Sequence, residues 1–251
     1  MTSNPRYASI LISLFAAAAL QGQVSVRVAP SPAPVGCQVV ITIANDTSMP
    51  IILSNPCPYQ IRNPAGIVIF NPTCLQVTWT VNPGAVHPMT WNQVDNGSAQ
   101  VPPGTYTVEV FLPGGMSTVT VQIDATVLAG IGERGAIRIG TTRNLQLCSP
   151  LDPSKTYLIG ASLGLGAIPT CNGVVPLQAD FLLALSLGPN PYFGNFTGTL
   201  FANGSTVVPA VTMPLDPTLI GAGFIVAFVV LDPTSPCIVA RISAPHIIIV
   251  V

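Results

Sequence analysis

The sequence predicts an all-β protein, two tandem β-sandwich domains of immunoglobulin-like type behind a cleaved signal peptide. Three observations predict it. Helical periodicity is nearly absent after residue 22. Short runs rich in Val, Ile and Thr recur throughout, bounded by Pro, Gly, Asn and Asp, with 26 prolines and 22 glycines in 251 residues. The length fits two domains of roughly 100 to 130 residues each once a leader is removed.

The leader comes first. Arg6 supplies a positive start, Ala8 to Leu20 form a short apolar run, and small residues around Ala19 and Gly22 suit signal-peptidase cleavage. Residues 1–22 are read as removed on export. The apolar run is shorter than the roughly 20 residues a membrane helix needs, so the mature chain carries no predicted span.

Residues 23–127 form the first predicted domain. Its strands are placed at 24–28, 38–44, 51–53, 59–62, 67–70, 76–81, 89–93, 105–111 and 117–123, separated by turn residues such as Asn82-Pro83-Gly84, Asp95-Asn96-Gly97 and Pro102-Pro103-Gly104. Along Thr105 to Val110, strict alternation assigns Tyr106, Val108 and Val110 to the inner face. Near 127–134 the alternation fails, which marks a boundary and a hinge around Gly130 to Gly135.

The second predicted domain covers residues 128–251. Strands are expected at 136–147, 156–162, 181–186, 198–201, 205–208, 224–231, 238–242 and 246–251, with one helical turn in 176–180. Gly160, Gly164 and Gly166 are read as loop glycines, and the Leu-Asp-Pro tripeptides at Leu151, Leu215 and Leu231 as turns. The run Ile247 to Val251 is continuous, so it requires cover on both faces and internal pairing. Left at an edge, it would offer itself to another chain.

Six cysteines, none in a Cys-x-x-Cys pair or beside histidines, point to disulfides rather than zinc. Cys57 and Cys74 flank two strand-like runs joined by Asn63-Pro64-Ala65-Gly66 and are the favoured pair. Cys37 is the first candidate for a buried free thiol.

Charge is scarce: 7% of residues are Asp, Glu, Lys or Arg, against about 25% in ordinary globular chains. Without Arg6, seven basic residues face nine acidic ones, a net of −2. No basic stripe or basic amphipathic helix exists, which argues against nucleic acid and anionic membrane surfaces.

No catalytic, cofactor or metal constellation is predicted. Only His87 and His246 exist, each next to a proline and without a nucleophile elbow. Asp46, Asp95, Asp152, Asp216 and Asp232 sit at turns, leaving Asp180 and Glu109 as the acids least bound to them. Asp95-Asn96-Gly97-Ser98 lacks the alternating ligands of a calcium loop and reads as a hairpin turn. Asn-x-Ser/Thr sequons at Asn45, Asn96, Asn195 and Asn203 mark exposed polar loops.

The stretch from Tyr59 to Val110 resembles the bacterial intracellular proteinase inhibitor-like family, a β-sandwich module. The likeness lies in Tyr59 to Gly66, then Trp91-Asn92-Gln93, then Pro103-Gly104-Thr105-Tyr106-Thr107-Val108. It implies the sandwich fold and an inhibitory activity, for which the loops Asn82 to Met89 and Val94 to Pro103 are the candidates. The second domain resembles an uncharacterised module of secreted bacterial proteins through Pro176-Leu177, Asp180, Leu183 to Ser186, and Phe196 to Gly204.

The sequence thus predicts an exported, non-enzymatic binding or assembly protein of the cell envelope or extracellular space, with a secreted proteinase inhibitor as the alternative. A protein or polysaccharide partner is expected. So is self-association, because few like charges keep chains apart and few charged residues guard exposed edges.

Overall fold

The computed structural model describes residues 23–251, and the leader reading for 1–22 lies outside them. Among the described residues the regular secondary structure is nearly all strand, with one α-helix at Phe181–Leu187 and a short 3-10 turn at Pro217–Leu219.

Residues 24–124 build two facing sheets and a short separate ladder, Ile51–Leu53 with Trp79–Val81. One holds Val24–Ala29, Val39–Asn45 and Val86–Trp91, all antiparallel. The other runs in the order Ala33–Pro34, Gly115–Asp124, Gly104–Leu112, Tyr59–Arg62, Val68–Phe70. The chain leaves the first sheet after Ala29 and joins the second through Ala33–Pro34, parallel to Gly115–Asp124. This switch of the first strand between sheets, with the Greek-key order of the rest, makes the sandwich immunoglobulin-like.

The core between these sheets contains Ile41, Ile43, Trp91, Tyr106, Val108, Val110, Val121 and Ile123. The predicted inner face of 105–110 is the observed one, since Tyr106, Val108 and Val110 are all buried. Tyr106 packs edge-on against Trp91 and donates its hydroxyl hydrogen to the Pro102 carbonyl at 2.6 Å. That bond is a tyrosine corner, which ties the turn before Gly104–Leu112 to the strand itself. Tyr106→Phe leaves a carbonyl short of its partner while keeping the ring. A loss of about 1 to 2 kcal/mol in urea unfolding is expected, and an unchanged midpoint would remove the corner as a stabilising element.

Residues 130–249 build two further large sheets and a separate hairpin, Ile168–Thr170 with Gly173–Val175. Gly130–Glu133, Thr142–Cys148, Ala210–Thr212 and Phe193–Gly194 form one, with Ser205–Thr206 also on Thr142–Cys148. Thr197–Thr199, Thr156–Ser162 and Gly223–Leu231 form the other, and both Val239–Ile242 and His246–Ile249 pair with the far edge of Gly223–Leu231. Leu145, Leu147 and Ile131 meet Tyr157, Ile159, Val226 and Phe228 between the layers. The opposite face of the second sheet is covered too. Leu177 and the half-buried Leu183 and Val175 pack on Ile225 and Ala227, so Gly223–Leu231 is buried on both faces and reads as continuous apolar sequence.

Several expectations are corrected here. Residues 181–186 are helical, because Asp180 accepts from the Leu183 amide at 2.9 Å as an N-cap, and the expected helical turn at 176–180 is irregular chain ahead of it. Residues 136–141 are not strand: the chain turns there, with Gly140 at φ +69°, and the strand begins at Thr142. Gly160 is a buried position within Thr156–Ser162, where a Cβ would lie 2.7 Å from both Leu177 and Leu183. It is a close-approach glycine, not a loop one. The run at the C-terminal end is paired internally, and Val250 bridges Ile137.

The hinge is also corrected. Gly130–Glu133 is a buried strand, and a Cβ on Gly132 would stand 2.6 Å from Ala29 Cβ, one on Gly130 2.8 Å from Pro34 Cδ. These glycines permit the two units to pack closely. Alternation fails in the sequence because the residues alternating with Ile131 are glycines facing the first unit.

All six cysteines are bonded among the described residues. Cys57 joins Cys74 around the hairpin, and Cys171 joins Cys237. Cys37 is no free thiol: it is bonded to Cys148, 111 residues away in the other unit. This staple, the Arg138–Asp46 ion pair and a 2.8 Å bond from Gln146 to the Gln38 carbonyl cross the junction.

Candidate functional site

The residues singled out for chemistry are mostly engaged in structure. His87 reaches the Pro56 carbonyl at 2.6 Å and lies over Trp79, with ring centroids 5.5 Å apart. His246 contacts Glu133, whose other oxygen accepts from Arg27 at 3.0 Å. Neither ring hydrogen-bonds a serine or cysteine, and the cysteines among the described residues are all in disulfides.

The acids follow the same logic. Asp95 accepts from the Gly97 and Ala99 amides at 2.8 and 2.9 Å, so 95–98 is a hairpin turn. Asp216 and Asp232 each accept from the Thr two residues on, through both amide and hydroxyl. These bonds explain the Asp-Pro-Thr turns. Glu109 is buried on Gly104–Leu112, and hydrogen bonds from Arg62 and Gln60 hold its carboxyl below the usual range.

One pair of turn carboxylates is brought together. Lys155 Nζ lies 3.2 Å from Asp152 and 2.9 Å from Asp232, and Arg241 stands 3.4 Å from Asp152. Two anions and two cations make a balanced cluster. Bonds from Thr234 and Lys155 carry the Asp232 carboxyl down to about 2, which leaves it without the proton a general acid needs. No group of three or more metal-ligating side chains occurs among the described residues.

Of the two loops considered for inhibition, 82–89 keeps only the turn at 82–85, and its second half belongs to the strand Val86–Trp91. Residues 94–103 do form an exposed hairpin loop, closed by a Val94–Gln100 bridge. The sequons divide similarly. Asn96, Asn195 and Asn203 are exposed, whereas Asn45 is fully buried and donates to the Met49 and Val81 carbonyls, each at 2.8 Å.

Two concave surfaces stand out among the described residues. The first is an apolar groove of about 230 Å³ at one end of the second unit, where the helix Phe181–Leu187 overhangs the sandwich. Phe181, Leu185, Tyr192, Phe193, Leu219 and Phe224 line it. Phe181 is 69% exposed and Leu163, beside it, 55%. The reason is local: Asp180 caps the helix so that Leu182 and Leu183 turn towards the two cores while Phe181 and Leu185 stay outside. The second is a cleft of about 200 Å³ at the junction, lined by Val86 and Pro88 of the first unit and Arg134, Thr142, Arg143 and Asn144 of the second.

No family model and no curated protein matches the chain in sequence. Solved structures show faint likeness. A red sea bream transglutaminase aligns over 93% of this chain and 32% of its own length, at 10% identity and a TM-score of 0.28. A trypsin-activated alpha-2-macroglobulin from Escherichia coli aligns over 91% of this chain and 15% of its own, at 11% identity and a TM-score of 0.28. The chain spans about a third of the length of the first of these and less of the second.

Sequence reasoning missed both concave surfaces. The groove depends on Phe181–Leu187 being helical, for which Asp180 three residues before Leu183 was the available signal. The cleft depends on how the two units meet, which no local pattern encodes.

Proposed function

We propose that this chain is an exported, non-enzymatic binding or assembly protein of the cell envelope or extracellular space, which engages a protein partner through the apolar groove of its second unit. The observation that carries the reading is the groove itself. Its walls are aliphatic and aromatic, its rim exposes Phe181 and Leu163, and exposed apolar patches of this kind mark interaction surfaces. At about 230 Å³ it is smaller than ordinary small-ligand sites and suits one or two apolar side chains of another protein. Three disulfides support an oxidising compartment. No helix among the described residues is long and apolar enough to cross a membrane. The engagement of histidines and carboxylates in turns, caps and ion pairs supports a role without catalysis.

A second copy of the chain is the first partner to test. Sedimentation of residues 23–251 is expected to show concentration-dependent association that Phe181→Ser with Leu185→Ser weakens at least tenfold. In the same experiment, material retained from the native extracellular fraction should fall away with the double variant. A stable monomer at high concentration, with retention indifferent to the substitutions, would overturn the reading. Recovery of a protease through residues 94–103 would promote the inhibitor alternative instead.

A further inference from the structure

The described residues contain seven cations: Arg27, Arg62, Arg134, Arg138, Arg143, Lys155 and Arg241. In a chain so poor in charge, four of the seven gather at the junction of the two units. Arg27 is matched by Glu133 and Arg138 by Asp46. Arg134 and Arg143, which line the junction cleft, have no carboxylate partner among the described residues. The Nε atoms of both are buried without a hydrogen-bond partner. Arg143 otherwise makes only long bonds of 3.4 Å to the Thr142 and Gly84 carbonyls.

Such an arrangement is costly unless something offsets it, because buried polar groups ordinarily find partners and like charges repel. Burial pushes the Arg134 guanidinium below its ordinary range, and burial followed by the charges of Arg143 and Arg27 does the same to Arg138. The two units whose residues form the cleft walls are joined by the Cys37–Cys148 bond. The polar groups beside the arginines are Thr142, whose hydroxyl lies 2.8 Å from that of Thr212, and Asn144, whose amide donates to the Val207 carbonyl at 3.0 Å.

We propose that this junction cleft is a binding site for one compact oxyanion, held between the guanidinium groups of Arg134 and Arg143. Carboxylate, sulfate and phosphate share the required chemistry: planar guanidinium forks donate paired hydrogen bonds to their oxygens, while chloride offers one point acceptor. The site stands apart from the apolar groove and does not depend on the function proposed for it.

The test is titration of residues 23–251 with sodium sulfate and with sodium glucuronate, following the arginine Nε–H resonances by NMR and holding ionic strength constant with chloride. Saturable shifts of two arginine signals are expected, lost in Arg134→Gln/Arg143→Gln and weakened about tenfold or more in each single variant. Response to sulfate alone would assign a tetrahedral ligand, and response to glucuronate alone a carboxylate. Because neither arginine has an ion-pair partner and their burial is costly, the double variant should unfold at or above the temperature of the parent in chloride, and Arg62→Gln should bind normally. Equal shifts with chloride, no saturable shift with either anion, or full binding by the double variant would overturn the proposal.

Discussion

Replacing Cys37 and Cys148 together by Ala is expected to destabilise the protein by about 2 to 5 kcal/mol and to split its unfolding into two transitions. The bond closes a separation of 111 residues, for which chain entropy alone gives about 5 kcal/mol. By the same reckoning Cys57–Cys74, with a separation of 17, stabilises by about 3 kcal/mol and acts within one sandwich. Of the three disulfides, Cys37–Cys148 alone joins the two units. Both sulfurs are buried, so the double substitution also leaves a small void against the Gly130–Glu133 contact. Urea unfolding followed by Trp fluorescence reports the first sandwich, which holds Trp79 and Trp91, and far-UV dichroism reports both. Divergence of the two curves in the variant is the expected result. Coincident curves at the parent's midpoint would show that noncovalent packing at Gly132, Ala29 and Thr42 couples the units by itself.

The fold was legible wherever burial imposed a period of two. Thr105 to Val110 alternates because one face meets Trp91 and Ile41 while the other meets Gln60 and Arg62. Strands covered on both faces were also placed, at 38–44 and 224–231, but the cover on their second face was not legible. Val39–Asn45 is buried throughout because Ile41 and Ile43 enter the first core while Thr42 lies under Gly135 of the second unit. The helix at 181–187 was missed because Phe-Leu-Leu-Ala-Leu has neither a clean period of two nor a full helical repeat. Its cap, Asp180, decides the matter at a single residue. The concave surfaces depend on residues far apart in sequence lining one space, such as Val86 with Arg134 and Phe181 with Val250. Composition warned only that the scarce charges would matter individually.

Among those charges Glu133 carries the most consequence, and Glu133→Ala is expected to cost about 2 to 4 kcal/mol. The residue is 9% exposed and binds Arg27 of the first unit at 3.0 Å while contacting His246 of the second. Removing it leaves two basic groups facing one another at a desolvated junction, which is costlier than the pair itself was favourable. Partial exposure of Arg27 moderates the penalty. Burial pushes the Glu133 carboxyl up, but the hydrogen bond and charge of His246 and the charge of Arg27 outweigh it, so the net direction is down. A carboxyl whose folded value is depressed contributes stability above its unfolded value, about 4.3, and loses it as pH falls through the folded one. Unfolding free energies of the parent and Glu133→Gln should therefore differ most above pH 5 and converge as pH falls below about 4. A gap that stays constant from pH 7 to pH 3 would mean that Glu133 acts there by packing, and that its charge does not hold the two units together.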